Sequence, residues 1–230
     1  MIKAKQKICK GTGLAKDFKC CGELVYSYRY GLCKKDYQNW LISTDEGNKK
    51  LRMSMIQAHK NIEKIKKVEF KQRKKELMSV DEYRSKYVQP IINEIARLID
   101  YGQPCIATGS YNGKMNGGHF QSTGSNRTLT LNLHNIHQQS YASNCPNGGD
   151  NLKYREGLKR VYGQKYLDYI ESLKSIKPLH LSKEDLYDIE KRARKIRNEL
   201  KKNLIVRTPE ERIKLREEIN NEIGIYEKMQ

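Results

Sequence analysis

The chain has no apolar run approaching the roughly 20 residues that span a bilayer. Hydrophobic residues make up only 37% of its 230 positions and mean hydropathy is −0.85, too little apolar material for a large buried core. Small modules joined by charged helices suit such a composition better. No apolar segment follows the lysines of Met1-Ile2-Lys3-Ala4-Lys5, so a secretory leader is not expected and a cytoplasmic setting is. Internal repeats are missing too. Acidic residues are in short supply: 27 Asp and Glu face 45 Lys and Arg, for a net charge of +18 and a pI near 9.6. That excess favours a polyanionic partner, nucleic acid ahead of an anionic membrane surface.

Cysteine is sparse outside one region. The six are Cys9, Cys20, Cys21, Cys33, Cys105 and Cys145, and four of them fall in the first 33 residues. In a reducing cytosol such clustering argues for metal ligation over disulfides. Structural zinc takes four ligands, preferably soft ones. Cys9, one of the Cys20/Cys21 pair and Cys33 supply three; the fourth is either the other cysteine of the pair or Asp36, three residues after Cys33. The plainer alternative is a set of buried, unligated thiols, but a module this short needs a staple to fold.

Residues 41–78 read as a long basic helix. From Lys49 to Lys75 there are eleven Lys or Arg against Glu63 and Glu69. Ile56, Ile62, Ile65 and Val68 give it only a thin apolar stripe. It is a solvated linker helix by composition, and a phosphate-contacting rod by charge. Ser79 with Glu82 spells a capping box, and Ile91, Ile92, Ile95, Leu98 and Ile99 mark a helix that follows. Pro90 does not suit a helix interior, so two segments are expected to meet there. Beyond Gly163, Leu167, Ile170 and Leu173 mark a helix that Pro178 terminates. Ser182 with Asp185 opens the next, whose Leu186, Ile189, Ala193, Ile196 and Leu200 form a heptad-like seam. Thr208-Pro209-Glu210-Glu211 starts a last helix, lined by Leu215, Ile219 and Tyr226. The stretch 183–230 therefore reads as a helical hairpin, packed internally or used for dimerisation.

Residues 101–150 differ in kind, rich in Gly, Asn, Ser and Thr, with Lys114 and Arg127 against Asp150 as their charges. Thr128-Leu129-Thr130-Leu131 alternates like a strand. Within this stretch Gly117-Gly118-His119-Phe120 is followed by Asn135-Ile136-His137, Asn144 and Asp150. Phosphodiester hydrolysis needs an activated water and a stabilised leaving oxygen, and a histidine near its free pKa with one divalent cation can provide both. His119 is the candidate base, Asn135 the residue that orients it, and Asn144 and Asp150 candidate metal groups. A structural histidine in a Gly-rich turn is the bland alternative.

The order Asn116-Gly117-Gly118-His119-Phe120, Leu131-Asn132-Leu133-His134-Asn135-Ile136-His137-Gln138-Gln139, Asn144, Gly149-Asp150-Asn151 and Tyr154-Arg155 resembles the NinG family of phage recombination proteins, also called Rap. Cys9, Gly11-Thr12-Gly13, Cys20 and Tyr30-Gly31-Leu32-Cys33 with Tyr37 and Trp40 resemble that family's zinc knuckle. The resemblance covers about residues 7–42 and 100–175. It implies an HNH (His-Me finger) endonuclease acting on branched DNA such as Holliday junctions or D-loops. His119 would be its base, with Asn135, His137 and Asn144 as further site residues and Mg or Mn as the catalytic ion. Cutting a junction symmetrically needs two sites, which favours a homodimer. Three departures stand out. Asn116 replaces the family's Asp and Asp150 replaces its Asn, so one carboxylate is expected to have substituted for another as cation ligand. Asn147 stands where Lys is usual. Two Cys-x-x-Cys pairs of the family are here Cys105-Ile106-Ala107-Thr108 and Ser140-Tyr141-Ala142-Ser143, so a second zinc is expected to be lost. A catalytically weakened branched-DNA-binding protein on the same scaffold is the alternative function.

The resulting expectation is an α+β, mostly helical chain. It comprises a cysteine-rich zinc-knuckle module over 1–42, a basic helical linker over 43–99, a small ββα-metal (HNH-like) nuclease core over 100–176, and a C-terminal helical hairpin over 177–230.

Overall fold

The computed structural model describes residues 6–26, 28–122, 124, 127–144, 150–175 and 180–225; Cys145, Asn147, Pro178 and Tyr226 lie outside them. The chain is α+β and mostly helical, with two-stranded sheets, and divides into two compact units, residues 1–76 and 77–230. Among the described residues no helix is long and apolar enough to cross a membrane.

In the first unit, β1 (Lys7–Ile8) pairs antiparallel with β2 (Leu24–Val25), and α1 (Lys34–Ser43) follows. Cys9, Ala15, Leu32, Tyr37 and Trp40 form its small core, with Tyr37 stacked on Trp40 at 5.8 Å between centroids. Gly31 has φ +71°, and a Cβ there would sit 2.4 Å from the Lys10 carbonyl oxygen, so only glycine lets the two segments close around the core. The basic helix expected over 41–78 is interrupted at its start. Thr44 leaves the helical path, its hydroxyl donating to the Trp40 carbonyl and accepting from the Gly47 amide, and α2 (Asp45–Leu77) begins beyond it. At 1.5 Å per residue its 33 residues extend about 50 Å. Gly47 is its one buried residue among the first unit's packing; Ile56, Ile62, Ile65 and Val68 are exposed, so the stripe is as thin in space as in sequence.

The second unit opens with α3 (Val80–Tyr83), capped by Ser79 and Glu82 reciprocally. One π turn, Arg84–Val88, joins it to α4 (Gln89–Ile99), whose first turn holds Pro90. The two segments expected to meet at Pro90 do so through that turn: proline has no N–H to give the preceding carbonyls, and the chain widens where the bond is missing. Ile91, Ile92, Ile95, Ala96 and Ile99 are buried. They pack against a hairpin of β3 (Met115–His119) and β4 (Ile136–Ser140), in which Met115 faces Ser140, Gly118 faces His137 and His119 faces Ile136. The alternating Thr128–Leu131 segment is not the expected strand. Residues Arg127–Thr130 form a 3-10 turn, and Leu129, Thr130 and Leu131 are all buried, where a strand would have turned Thr130 to the face opposite the two leucines.

Next come α5 (Tyr141–Asn144), α6 (Asn151–Tyr162) and α7 (Gln164–Ser172), the last two separated by Gly163 at φ +85°. At Gly157 of α6 a Cβ would meet the Ile106 carbonyl oxygen at 1.8 Å, which fixes α6 tightly on that segment. α8 (Lys183–Lys202) and α9 (Pro209–Glu222) carry the two capping boxes read from Ser182/Asp185 and Thr208/Glu211. They are not a simple hairpin. The seam of Leu186, Ile189, Ala193 and Ile196 lies against α4 and the central core, where Lys201 also reaches Glu94 at 2.7 Å. The inward face of α9 is partly polar: Arg212, Arg216 and Asn220 are buried, Arg216 and Asn220 bond the connection between β3 and β4, and Arg212 pairs with Asp100. A face of that chemistry seeks backbone oxygens rather than an apolar seam, so the two helices converge on one core instead of zipping together.

The anchor of this unit is Asp100, 1% exposed. Its Oδ2 accepts from Arg216 Nη2 at 2.7 Å and from the Gln138 amide at 2.9 Å, and its Oδ1 accepts from Tyr162 Oη at 3.3 Å with Arg212 Nη1 at 3.5 Å. Removing one partner of a buried pair leaves the other charge unsatisfied. Asp100→Ala is therefore expected to destabilise the second unit by about 3–5 kcal/mol in urea unfolding.

Candidate functional site

Two places hold the residues singled out by sequence. The first is built by the end of β1, the turn before β2 and the start of α1. Cys9 Sγ, Cys21 Sγ, Cys33 Sγ and a carboxylate oxygen of Asp36 lie within 4.8 Å of one another. Cys20 is not among them; its thiol donates to the Cys9 carbonyl. The fourth group is thus Asp36, and the ligand of the adjacent pair is Cys21. Amides point at the sulfurs: Cys33 N donates to Cys9 Sγ at 3.1 Å and Asp36 N to Cys33 Sγ at 3.3 Å. Asp36 Oδ2 accepts from Cys21 N at 2.8 Å and from the Cys9 thiol at 3.3 Å. Burial pushes the Cys9 thiol up to about 12, against the pull of the Cys33 amide. The Cys21 amide holds the Asp36 carboxyl below its usual range. Three sulfurs and one carboxylate at this spacing fit a tetrahedral divalent metal, and a structural zinc is compatible with the donor set.

The second place is the β3–β4 hairpin. Gly117 and His119 share the face turned to α4, where a Cβ on Gly117 would come within 2.7 Å of Asn93. His119 Nε2 lies 3.0 Å from the Thr130 carbonyl oxygen and 2.9 Å from Gln89 Nε2. The Thr130 carbonyl can only accept and the Gln89 amide nitrogen can only donate; in the tautomer that donates to Thr130, Nε2 carries the proton, Nδ1 keeps the lone pair and the Gln89 nitrogen is a neighbour without a hydrogen bond to the ring. Burial lowers the pKa of His119 and the Thr130 carbonyl opposes that shift, so the neutral ring prevails at pH 7. Asn135 does not touch the ring. Its Oδ1 accepts from the Gln121 amide at 2.8 Å, and its Nδ2 donates to the Gln121 and Leu129 carbonyls at 3.0 and 3.2 Å. It clasps the loop that brings Thr130 to His119, and so positions the imidazole through the backbone.

The other expected residues are not gathered at His119. His137 pairs with Gly118, which puts its side chain on the opposite face of the hairpin. There it is fully buried against Tyr154, Tyr162 and Tyr166. Tyr154 Oη donates to the Gly118 carbonyl, accepts from the His137 amide and contacts His137 Nδ1 at 3.1 Å, which leaves Nδ1 as donor. Burial drives the His137 pKa well down. Asn116, by strand alternation, is also on the face away from His119. Asn144 ends α5, which follows Ser140 at the Met115 end of the hairpin, about 13 Å along the strand from His119. Asp150 caps α6 at that same end: its amide donates to the Ser143 carbonyl, its Oδ1 accepts from Lys153 N, and its Oδ2 pairs with Lys153 Nζ at 2.7 Å. The expected exchange of carboxylates between 116 and 150 therefore does not assemble a cation site around His119 among the described residues. Gln89 and Thr130, which do meet the ring, carried no local signal; they reach it through the packing of α4 and the fold of the β3–β4 loop.

Comparison with protein families decides the ancestry. The model of the NinG family, described as bacteriophage lambda NinG protein, matches residues 1–203. The chain belongs to the NinG family. That membership ties it to phage recombination. Neither curated proteins nor solved structures gave a match. At Cys105–Thr108 and Ser140–Ser143, where the resemblance implied two Cys-x-x-Cys pairs, this chain has a hydrogen-bonded cluster. Ser140 N donates to Cys105 Sγ at 3.2 Å, Cys105 Sγ lies 3.4 Å from Ser143 Oγ, and Ser140 Oγ lies 3.0 Å from Ser143 Oγ. Burial raises the Cys105 thiol pKa, but the Ser140 amide, Ser143 and Thr108 outweigh it and bring it to about 6.

Metal analysis of the purified chain is expected to give about one zinc. Cys9→Ser, Cys33→Ser and Asp36→Ala should each lose it, whereas Cys20→Ser should retain it; two zincs per chain would make the Cys105 cluster a metal site after all.

Proposed function

We propose that this NinG-family chain is a structure-specific endonuclease of phage DNA recombination, acting on branched DNA. The observation that supports this most directly is His119: a neutral, partly exposed imidazole at the end of a Gly-rich strand, its Nε2 anchored and its Nδ1 lone pair left as the base. His119 would take a proton from the water that attacks phosphorus, and the Thr130 carbonyl would steady the imidazolium that forms. Asn135 holds the preceding carbonyl, that of Leu129, and so the loop that carries Thr130. A Mg or Mn ion, when bound, would supply charge at the phosphate and the leaving oxygen. The described donors expected to hold it do not converge on His119, so the steps assigned here stop at the proton. α2 supplies the grip on the duplex, with eleven cations against two carboxylates between Lys49 and Lys75. Binding through it should weaken steeply with salt. A zinc in the Cys9/Cys21/Cys33/Asp36 set would hold the first unit's fold. Two chains per junction would account for paired incisions.

A second reading is a branched-DNA-binding protein that has lost catalysis. It is favoured by Asp150, whose carboxylate is spent on Lys153 and the α6 cap. A four-way-junction assay with Mg²⁺ or Mn²⁺ separates the two. The nuclease reading expects cutting by the natural chain and its loss, by about 10²-fold or more, in His119→Ala. Binding without cutting by both selects the second reading, and cutting that survives the substitution removes His119 from the site. With its pKa lowered, His119 stays deprotonated into mildly acidic solution, so the acid limb of the pH–rate profile should fall below the ordinary histidine value of about 6.5.

A further inference from the structure

Away from His119, a cleft of about 310 Å³ opens along the outer edge of β4. Its walls come from the segment after α4, from the end of α6 and from α9, and include Gln103, Tyr111, Gln138, Arg160, Tyr162 and Arg212. The volume falls at the small end of the range for small-ligand sites. Its charge is positive. Asp100 is the one carboxylate in the lining, and it is already committed to Arg216, the Gln138 amide and Tyr162. Arg160 is exposed and uses one nitrogen to hold the Ile106 carbonyl at 3.1 Å, its arm passing over Gly109. Arg212 lies beneath it, nearly buried, with its guanidinium 4.9 Å from the Tyr162 ring centroid. Tyr111 is 70% exposed, a large flat ring on the wall of the cleft. Gln138 Nε2 donates to the Gln103 carbonyl, which directs the amide oxygen of Gln138 as an acceptor.

An anion recognised by guanidinium, a flat ring recognised by tyrosine and polar edges recognised by amides describe a nucleotide. We propose that this cleft takes one unpaired nucleotide of a DNA strand, its base on Tyr111 and its phosphate on Arg160. A stacked duplex does not offer a single base to such a cleft, whereas a branch point or a frayed arm does, so the inference deepens the branched-DNA reading and rests on it for its substrate. The cleft would sense the unpaired strand, while α2 holds duplex without regard to sequence.

The test uses the full-length chain without added divalent metal and reads binding alone, by fluorescence anisotropy. The probes are a labelled blunt duplex, the same duplex with a five-nucleotide single-stranded tail, and the same tail made abasic. The tail should raise affinity. Tyr111→Ala and Arg160→Ala should each lower tail-dependent affinity about tenfold and leave blunt-duplex affinity unchanged. Arg160→Lys should restore part of the loss, since it keeps the charge and loses the fork. Unaltered tail binding in both alanine variants overturns the proposal. So do equal losses on blunt and tailed DNA, which would mark a general backbone contact, or an abasic tail that binds as well as the normal one. Displacement of the tail by an acidic peptide but not by a mononucleotide would assign the cleft to a protein and likewise overturn it. Because cleavage is not read, an inactive His119 leaves the result standing, and a cutting enzyme with no tail preference fails this proposal alone.

Discussion

The second unit is organised by a charge pair almost wholly withdrawn from water. Arg216 of α9 is fully buried, and it spans Asp100, the Leu133 carbonyl and the neighbourhood of β4 in one reach. Desolvating such a pair costs several kcal/mol per ion, so its worth lies in what it specifies more than in net stability. It fixes which edge of β4 faces α9 and closes the chain between β3 and β4 from outside. The aromatic wall of Tyr154, Tyr162 and Tyr166 packs against the same guanidinium, and its neighbours His134 and His137 are kept neutral by burial and by the adjacent Arg216 charge. His137 on the far face of the hairpin is thereby held in a structural role, and His119 stands on the near face.

Much of this was legible in the chain because local chemistry wrote it. Ser79/Glu82, Ser182/Asp185 and Thr208/Glu211 each satisfy orphan amides within one turn, so helix starts could be read off directly. The thiol cluster was legible for the same reason: three soft ligands and Asp36 fall within a short span. Which cysteine of the adjacent pair points inward was not, since that depends on how the turn before β2 winds. The faces of the hairpin were illegible on principle. His119 and His137 sit on opposite sides because Gly118 faces His137, and a slip of one residue in that register would have joined them. Register is set by the packing of α4 and α6, and no local pattern encodes it. The fate of α8 and α9 was hidden likewise: an apolar seam says that a helix is covered, not by what.

The hydroxyl cluster at Cys105 shows how a motif can erode without collapse. Around that sulfur the contacts are an amide, serine hydroxyls and a threonine, and the segment is also held by Gly157 of α6 and by Arg160. Helix packing thus does what a metal clamp would do elsewhere. The N-terminal unit has no comparable reserve, for its core is five residues deep and the sulfur-rich set lies at its centre. A cation held by that set would accordingly matter most where burial is least.

The π turn at Arg84–Val88 has a geometric consequence. Each residue advances a helix by about 100°, so one additional residue in a single turn rotates all that follows by the same angle. Tyr83 before it and Ile91, Ile92 and Ile95 after it point into one interior. The wide turn acts as a vernier that brings two otherwise mismatched stripes into phase. Gln89 and Asn93 arrive opposite the hairpin with that offset, so the surroundings of the imidazole depend on a backbone irregularity a turn away as well as on the residues that touch it.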